Sequence, residues 1–429
     1  MKRLWSLVMA VLLSAGAAGA ALAQPEPLRV LAGSETDAQA YLALYPDRAV
    51  RRIEVDYEQG YRGNLAELLA EGDWDVAFIG TQEFCLAALA DGGLALDLSA
   101  DPRIAALADT LLPSIRAAVT VGDMLAAFPS GYVASLVAGF RLMGLNGSSG
   151  SRYEQRAAAH LASLGMTAAD QPATFEQLCA LGESYLQKPK DARRGTAFIT
   201  LEGSAESYLL NLLIDLYATQ YLATGLCDSF DTEVFRTALG QLAKLRTALA
   251  ADPKNRYDED GFCCPLVMDS SQTLITDAVF LRLGESESLP AWMGLAIVNP
   301  KSARVGEAVD YILLTDAQNA CGTAPAFYRS VDYQALVLQS YDRDIAAQTE
   351  QGEDASVIDR LKALRDAGDA SRYQYSQAEI ERYRADIAPR LVFPQTDWFD
   401  TQSAVRAYLL GRTDAEAFIR ALDEAAAAR

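Results

Sequence analysis

The stretch GDWDVAFIGTQEFCLAALADGGLALDLS, residues 72–99, decides the fold. Its apolar run DVAFI, residues 75–79, is typical of a strand that is buried on both faces, and Gly80 ends that run. Thr81 is predicted to cap a following helix, which the glycines at 92–93 end. Open α/β sheets bind ligands beyond the carboxyl ends of their strands. The stretch therefore predicts a strand–turn–helix unit with a ligand crevice directly after the strand.

The segments before this unit repeat the same alternation. Residues 28–32 read as a first strand, residues 51–57 as a second strand, and residues 62–70 as a helix with leucines at helical spacing. The first hundred residues thus give the order β-α-β-α-β-α. This order predicts an α/β fold with a mostly parallel sheet that is flanked by helices.

The amino-terminal segment predicts export. Lys2 and Arg3 precede an apolar stretch of small residues, and Ala21-Leu22-Ala23 matches an A-x-A cleavage site. We therefore expect a signal peptide over residues 1–23 and a protein of the periplasm or the extracellular space. Because Cys85 is the first cysteine, we do not expect anchoring through an N-terminal lipid-modified cysteine.

The charge balance restricts the partners. The 429 residues include 37 Lys and Arg and 57 Asp and Glu, which gives a formal net charge of −20. Such a field repels phosphate backbones and anionic lipid, so we expect no nucleic-acid partner. The acidity suits a neutral or cationic solute, although it is explained equally well as an aid to solubility.

The six cysteines allow disulfides in an oxidising compartment. Cys85 and Cys179 fall on apolar helix faces and are predicted to be buried. The others are predicted to lie in or near loops and are the better disulfide candidates, with their connectivity left open: Cys227, Cys263, Cys264 and Cys321.

Catalytic and metal-binding patterns are missing from the sequence. The single histidine, His160, lies in a helical stretch, and no G-x-S-x-G elbow or zinc-type spacing occurs. The turn at residues 258–261 resembles part of a calcium loop, but Arg256 and Val267 stand where carboxylates are needed. We therefore predict no catalytic residue, no metal and no cofactor.

Polar and aromatic residues instead concentrate where strands end. Aromatic rings stack on the C–H faces of sugars, while carboxylates, amides and hydroxyls bond their rim hydroxyls. We therefore predict a ligand site that makes and breaks no bond. Its candidate residues are Trp292, Tyr61, Glu35, Thr81, Gln82, Glu83, Ser130, Tyr132, Glu202 and Ser204.

An ordered series of weak motifs resembles a known family. The segments that carry the resemblance are GDWDV (72–76), GGLALDLS (92–99), GDMLAAFP (122–129), GLAIVNPKSARVGEAVDYILL (294–314), residues 376–384 and residues 409–423. Together they resemble family 1 of the extracellular solute-binding proteins of ATP-binding-cassette importers, the group that mostly binds carbohydrates. Asp123-Met124 matches the usual Gly-Lys pair of that family only in part.

The resemblance implies a two-lobed, type II periplasmic-binding-protein-like architecture. Each lobe would hold a mostly parallel sheet flanked by helices, with the ligand cleft between the lobes. The first lobe would comprise residues 24–137 plus 291–325, and the second residues 138–290 plus 326–429. Trp292 would then face the cleft from a crossover strand. A membrane permease would be the partner, and we expect a monomer.

Three other functions stay open. The same fold could bind a polyamine, a peptide, an amino acid or a metal chelate, for which Glu35, Glu83 and Glu202 are suitably acidic. An exported carbohydrate-active enzyme could use Glu202 and Glu206 as a carboxylate pair, although these residues are better explained as helix-start carboxylates. A two-lobed sensor or scaffold is the last alternative.

Overall fold

The protein is described by a computed structural model over residues 26–56, 61–137, 139–142, 159, 161–189, 205–250, 266–269, 274–275, 278–370, 373, 375–394 and 401–427. The predictions for the signal segment, for His160 and for Glu202 and Ser204 concern residues outside these ranges.

The described part contains eleven strands. They are β1 (Leu28–Leu31), β2 (Val50–Ile53), β3 (Val76–Gly80), β4 (Thr120–Val121), β5 (Met124–Leu125), β6 (Phe128–Ser135), β7 (Gly139–Leu142), β8 (Leu266–Asp269), β9 (Val279–Phe280), β10 (Leu289–Val298) and β11 (Leu391–Val392).

Six of these strands form one large mixed sheet in the order β11-β10-β3-β1-β2, with β6 also paired to β10. The pairs β1–β2, β1–β3 and β10–β11 are parallel, whereas β10 runs antiparallel to β3 and β6. Most residues of the central strands β1 and β3 are buried, and Val30 and Val76 are completely so. The predicted mostly parallel sheet of an α/β fold is therefore confirmed for the first part of the chain.

Fourteen α-helices are described. They are α1 (Glu35–Leu44), α2 (Tyr61–Glu71), α3 (Leu86–Asp91), α4 (Pro102–Ala108), α5 (Pro113–Val119), α6 (Phe175–Gln187), α7 (Ala205–Tyr217), α8 (Glu233–Ala250), α9 (Val305–Phe327), α10 (Tyr333–Glu350), α11 (Ala355–Asp366), α12 (Gln377–Arg382), α13 (Gln402–Leu409) and α14 (Ala415–Ala427). A π-helical segment continues α7 over Ala218–Leu222, and another continues α12 over Tyr383–Ile387.

A second, three-stranded sheet has the order β8-β7-β9 and is antiparallel in both described pairs. The prediction of a mostly parallel sheet in each lobe is therefore wrong for these strands. The chain passes from the large sheet to this one between β6 and β7, and returns between β9 and β10. The lobe boundaries themselves stay a prediction.

The helix after β3 begins later than predicted. It starts at Leu86 with Cys85 at its N-cap, and Cys85 makes no side-chain capping bond. Residues 81–83 form a turn instead. Thr81 does not cap this helix because its hydroxyl bonds a distant strand, as described below.

The burial and location of the cysteines differ in part from the predictions. Cys85 is exposed, so its predicted burial is wrong, whereas Cys179 is buried as predicted. Cys227 is free, which contradicts its proposed role in a disulfide. Cys321 lies within helix α9 and not in a loop. Cys263 and Cys264 lie outside the described residues.

Candidate functional site

The site is built where strand β3 ends beside the crossover strand β10. Gly80, the last residue of β3, pairs with Gly294 in the middle of β10. Buried hydrophobic residues precede Gly80 in β3 and follow Gly294 in β10. Both glycines therefore lie at the edge of the hydrophobic core, next to polar residues. This is the crevice position that the sequence predicts for a ligand.

A β-bulge distorts the other edge of β10 at the same level. Gly294 pairs with Ser130 of β6, but the preceding residue, Met293, pairs with Val133. Residues 131–132 therefore have no partner on β10, so two extra residues of β6 form a large β-bulge. Gly131 adopts a φ of 75°, a conformation that favours glycine.

The backbones approach closely at the bulge. A Cβ added to Gly294 would overlap the carbonyl oxygen of Ser130. Only glycine fits this position without moving the backbone. Glycines inside strands, such as Gly131 in β6 and Gly294 in β10, are the sequence signal for a bulge, and no bulge was predicted here.

Thr81 joins the end of β3 to the bulge. Its backbone N–H donates to the carbonyl oxygen of Met293 at 3.0 Å, and its hydroxyl oxygen accepts the Met293 N–H, also at 3.0 Å. Thr81 is 8% exposed. Its polar atoms are thus used mainly to hold strand β10.

Two aromatic side chains meet over the bulge. The ring centroids of Tyr132 and Trp292 are 4.6 Å apart, with an interplanar angle of 71°. Tyr132 is 54% exposed and Trp292 is half-buried. The two rings therefore form an edge-to-face pair with an accessible apolar surface.

Glu83 turns back toward the main chain. Its Oε2 accepts the N–H of Gly80 at 2.9 Å. Burial raises the pKa of Glu83, while the Gly80 N–H and the positive charge of Arg62 act against that rise. The turn thus places a half-buried carboxylate next to Gln82 and Thr81, at the same strand end.

Glu35 is held at the start of helix α1. Ser34 caps this helix, and the Glu35 carboxylate accepts hydrogen bonds from Arg52 at 3.2 Å and from Gln39 at 3.1 Å. Glu35 is an exposed residue that is already paired with a cation. It lies beyond the carboxyl end of β1 as predicted, but its partners are local.

The structure therefore brings part of the predicted set together. Thr81, Ser130, Tyr132 and Trp292 meet around the bulge through Met293 and Gly294. Tyr61 begins helix α2, with its side chain outside the described residues. Glu202 and Ser204 also lie outside them.

The sequence alone matches no protein-family model, and no curated protein matches it. Solved structures do match. A sugar transporter from Rhizobium etli in an open conformation shares 12% identity, with 94% of this chain and 99% of that chain covered, at a TM-score of 0.50. The chain has a periplasmic-binding-protein fold.

Two further neighbours match this binding-protein fold over nearly their full length. An extracellular solute-binding protein of family 1 shares 13% identity, with 94% of this chain and all of that chain covered, at a TM-score of 0.49. A substrate-binding protein from Listeria monocytogenes in complex with cycloalternan shares 11% identity. The match covers 93% of this chain and 97% of that chain, at a TM-score of 0.48.

The described residues of this binding-protein fold contain no group of three or more His, Cys, Asp or Glu side chains that could hold a metal ion. Among the same residues, no helix combines the length and the apolar character needed to cross a bilayer. The chemistry that this strand end offers is an aromatic surface at Tyr132 and Trp292 and a half-buried carboxylate at Glu83.

Proposed function

We propose that the protein is the extracytoplasmic substrate-binding protein of an ABC importer and that it captures a sugar or an oligosaccharide. The solute binds in a cleft between two lobes, the lobes close on it, and the protein delivers it to a membrane permease. No bond of the solute is made or broken.

The pairing of Tyr132 with Trp292 is the observation that carries this proposal. A pyranose ring presents an apolar C–H face and a rim of hydroxyls, so it needs an accessible aromatic surface with hydrogen-bonding groups beside it. The Tyr132 ring offers that surface, and the half-buried Glu83 carboxylate offers hydrogen bonds. The site lies on β6 and β10, the two strands that lead to and from the second sheet.

The position of these two strands supports a hinge mechanism. A ligand that contacts both lobes stabilises the closed arrangement by the difference in its affinity for the open and closed states. We assign residues 24–137 plus 291–325 to one lobe and residues 138–290 plus 326–429 to the other. Glu202 and Ser204 are the ligand residues proposed for the second lobe.

The proposal includes the cellular setting. The protein acts as an exported monomer in the periplasm or the extracellular space, and its partners are the solute and the permease. The net charge of −20 suits capture of a neutral sugar in solution, away from anionic surfaces.

A thermal-shift screen tests the proposal. Mono- and oligosaccharides such as maltose, maltotriose, cellobiose and xylobiose are added singly to the purified mature chain. A ligand present at about 100 times its Kd stabilises the folded state by about 2.7 kcal/mol, which raises the melting temperature measurably. Trp292→Ala is expected to abolish the shift.

Leu410→Ala supplies the matched control, because it removes an exposed apolar side chain that follows helix α13. This variant should keep the full shift. If no sugar raises the melting temperature of the unaltered chain, the proposal is wrong.

Glu83 favours a second candidate, a cationic amine such as a polyamine. The Glu83 carboxylate is half-buried and bonds Gly80, which pairs with Gly294 two residues after Trp292. A carboxylate and aromatic rings at one strand end can also recognise ammonium groups. Calorimetric titration with spermidine against maltotriose separates the two candidates. Heat from spermidine that Glu83→Gln removes would favour the amine.

A further inference from the structure

The peptide between Trp292 and Met293 lies beside the bulge. A peptide unit is planar, so the N–H of Met293 and the carbonyl of Trp292 turn together. Trp292 and Met293 keep Ala134 and Val133 as their partners on β6, and the register shifts only after Met293. On the side of β3, the peptide is held by the hydrogen bond of the Met293 N–H.

The partner of that N–H is a side chain. In a regular antiparallel pair, two residues exchange two backbone hydrogen bonds. Thr81 donates its own N–H to Met293, but the return bond from the Met293 N–H goes to the Thr81 hydroxyl oxygen at 3.0 Å. The side-chain oxygen takes the place that a backbone carbonyl would occupy.

Burial makes this bond important. Met293 is completely buried, so a Met293 N–H without an acceptor would be costly. Thr81 is 8% exposed, and its β-branched side chain has few rotamers. The hydroxyl is therefore held firmly in place, and it has little surface left for a solute.

We propose that Thr81 is a positioning residue, whose hydroxyl fixes the Trp292–Met293 peptide plane and thereby holds the Trp292 ring edge-to-face with Tyr132. The effect of this positioning on ligand affinity rests on the proposed function. Thr81 thus acts through Trp292 and makes no contact of its own with the solute.

Near-UV circular dichroism of the ligand-free protein tests the positioning. A fixed aromatic pair gives a near-UV signal that is lost when its packing becomes mobile. Tyr132→Ala defines how much of the signal comes from the pair. Thr81→Val keeps the shape of the side chain and removes the acceptor, so it should lose most of that same signal. Thr81→Ser restores the acceptor and should recover the signal.

Thr315→Val is the matched control. Thr315 is also buried, but its hydroxyl donates to the carbonyl of Tyr311 within helix α9. This variant should leave the contribution of the pair unchanged. Far-UV spectra of all variants show whether they fold, and measurements are made well below each melting temperature.

Affinity supplies the second readout. Thr81→Val should weaken binding of the sugar found in the screen about fivefold, and Thr81→Ser should bind like the unaltered chain. An unchanged near-UV spectrum in Thr81→Val overturns the proposal. Equal damage from valine and serine also overturns it, because the methyl group would then matter and not the hydroxyl. If the spectra behave as expected but no sugar binds, the positioning role stands and the proposed function fails.

Discussion

Gly294 of β10 lies directly against the backbone of Ser130 in β6, so closely that a Cβ on residue 294 would overlap the Ser130 carbonyl oxygen. The two residues are 164 positions apart in the chain and are neighbours across the bulge. This close approach allows β6 and β10 to run side by side beneath the Tyr132–Trp292 pair.

Gly294→Ala should therefore destabilise the fold. The clash involves a backbone oxygen, which cannot move without disturbing the ladder, and overpacking of this kind costs about 1–3 kcal/mol. Urea denaturation measures the loss as a lower midpoint. Gly240→Ala is the control, because a Cβ at this exposed position in helix α8 meets nothing within 4 Å. It should stabilise the protein by about 0.5–1 kcal/mol. Equal midpoints for the two variants would contradict the close approach.

Asp75 should make the free energy of unfolding depend on pH in the acidic range. Its carboxylate is completely buried and accepts bonds from the Arg29 backbone N–H at 2.8 Å, from the Arg29 guanidinium at 2.9 and 3.1 Å, and from Ser302 at 2.7 Å. Burial acts to raise the pKa of Asp75, but these hydrogen bonds outweigh it, so the pKa lies below its ordinary value of 3.8. The stabilisation is therefore present above that value and is lost as the pH falls below it.

Asp75→Asn tests this account. At neutral pH the variant should lose about 1–3 kcal/mol of unfolding free energy, because a buried charged acceptor is removed while its partner Arg29 stays 31% exposed. The difference from the unaltered chain should shrink as the pH falls below 3.8, because the unfolded chain then binds a proton at Asp75 more readily than the folded chain does. Denaturant titrations across the acidic range measure both effects. A difference that stays constant through this range would show that the charge of Asp75 is not responsible.

Asp215 of helix α7 should have the opposite effect on stability. Burial raises its pKa to about 6, and its charge together with burial raises the pKa of Tyr208 to about 12. A group with a raised folded-state pKa adds stability below its unfolded value, here 3.8, and loses that contribution as the pH rises through the folded value. The protein should therefore become less stable as the pH rises through about 6.

Asp215→Asn should remove this loss, because an amide does not ionise. The variant should be more stable than the unaltered chain above pH 6 or so, and the two should converge at about pH 4. Chemical denaturation at several pH values checks the convergence. A variant that is less stable at every pH would mean that the Asp215 carboxylate is stabilised in its charged form.

Tyr383 anchors the π-helical segment after α12. Its hydroxyl donates to the carbonyl of Ala326 at 2.8 Å, and both residues are buried. Tyr383→Phe keeps the ring but leaves that carbonyl without its donor, so we expect a loss of about 1–3 kcal/mol in unfolding free energy. Thermal denaturation measures it. A melting temperature equal to that of the unaltered chain would exclude a structural role for this bond.

Local patterns predicted the elements of the large sheet well. The apolar run at 75–79 and the leucine spacing at 62–70 correspond to β3 and α2 because each segment buries an apolar face by itself. Helix α6 is capped by Thr174, whose hydroxyl oxygen accepts the N–H of Gln177. Such features depend on residues a few positions apart.

The site depends on distant contacts and was predicted only in part. Thr81 matches the pattern of a helix cap, but its hydroxyl oxygen accepts a hydrogen bond from the N–H of Met293, 212 residues later in the chain. The bulge arises from the register between β6 and β10, which no local pattern encodes. Trp292 and Tyr132 were each chosen from the sequence, whereas their mutual contact required the fold.

The most direct measurement of the central claim is a calorimetric titration of the mature chain with the sugar that the thermal screen identifies, followed by chromatography of the recovered sugar. We predict saturable binding of one sugar per chain, with the sugar recovered intact and with binding lost in Trp292→Ala. No saturable heat with any sugar that shifts the melting temperature, or recovery of a cleaved product, would contradict solute capture by this protein.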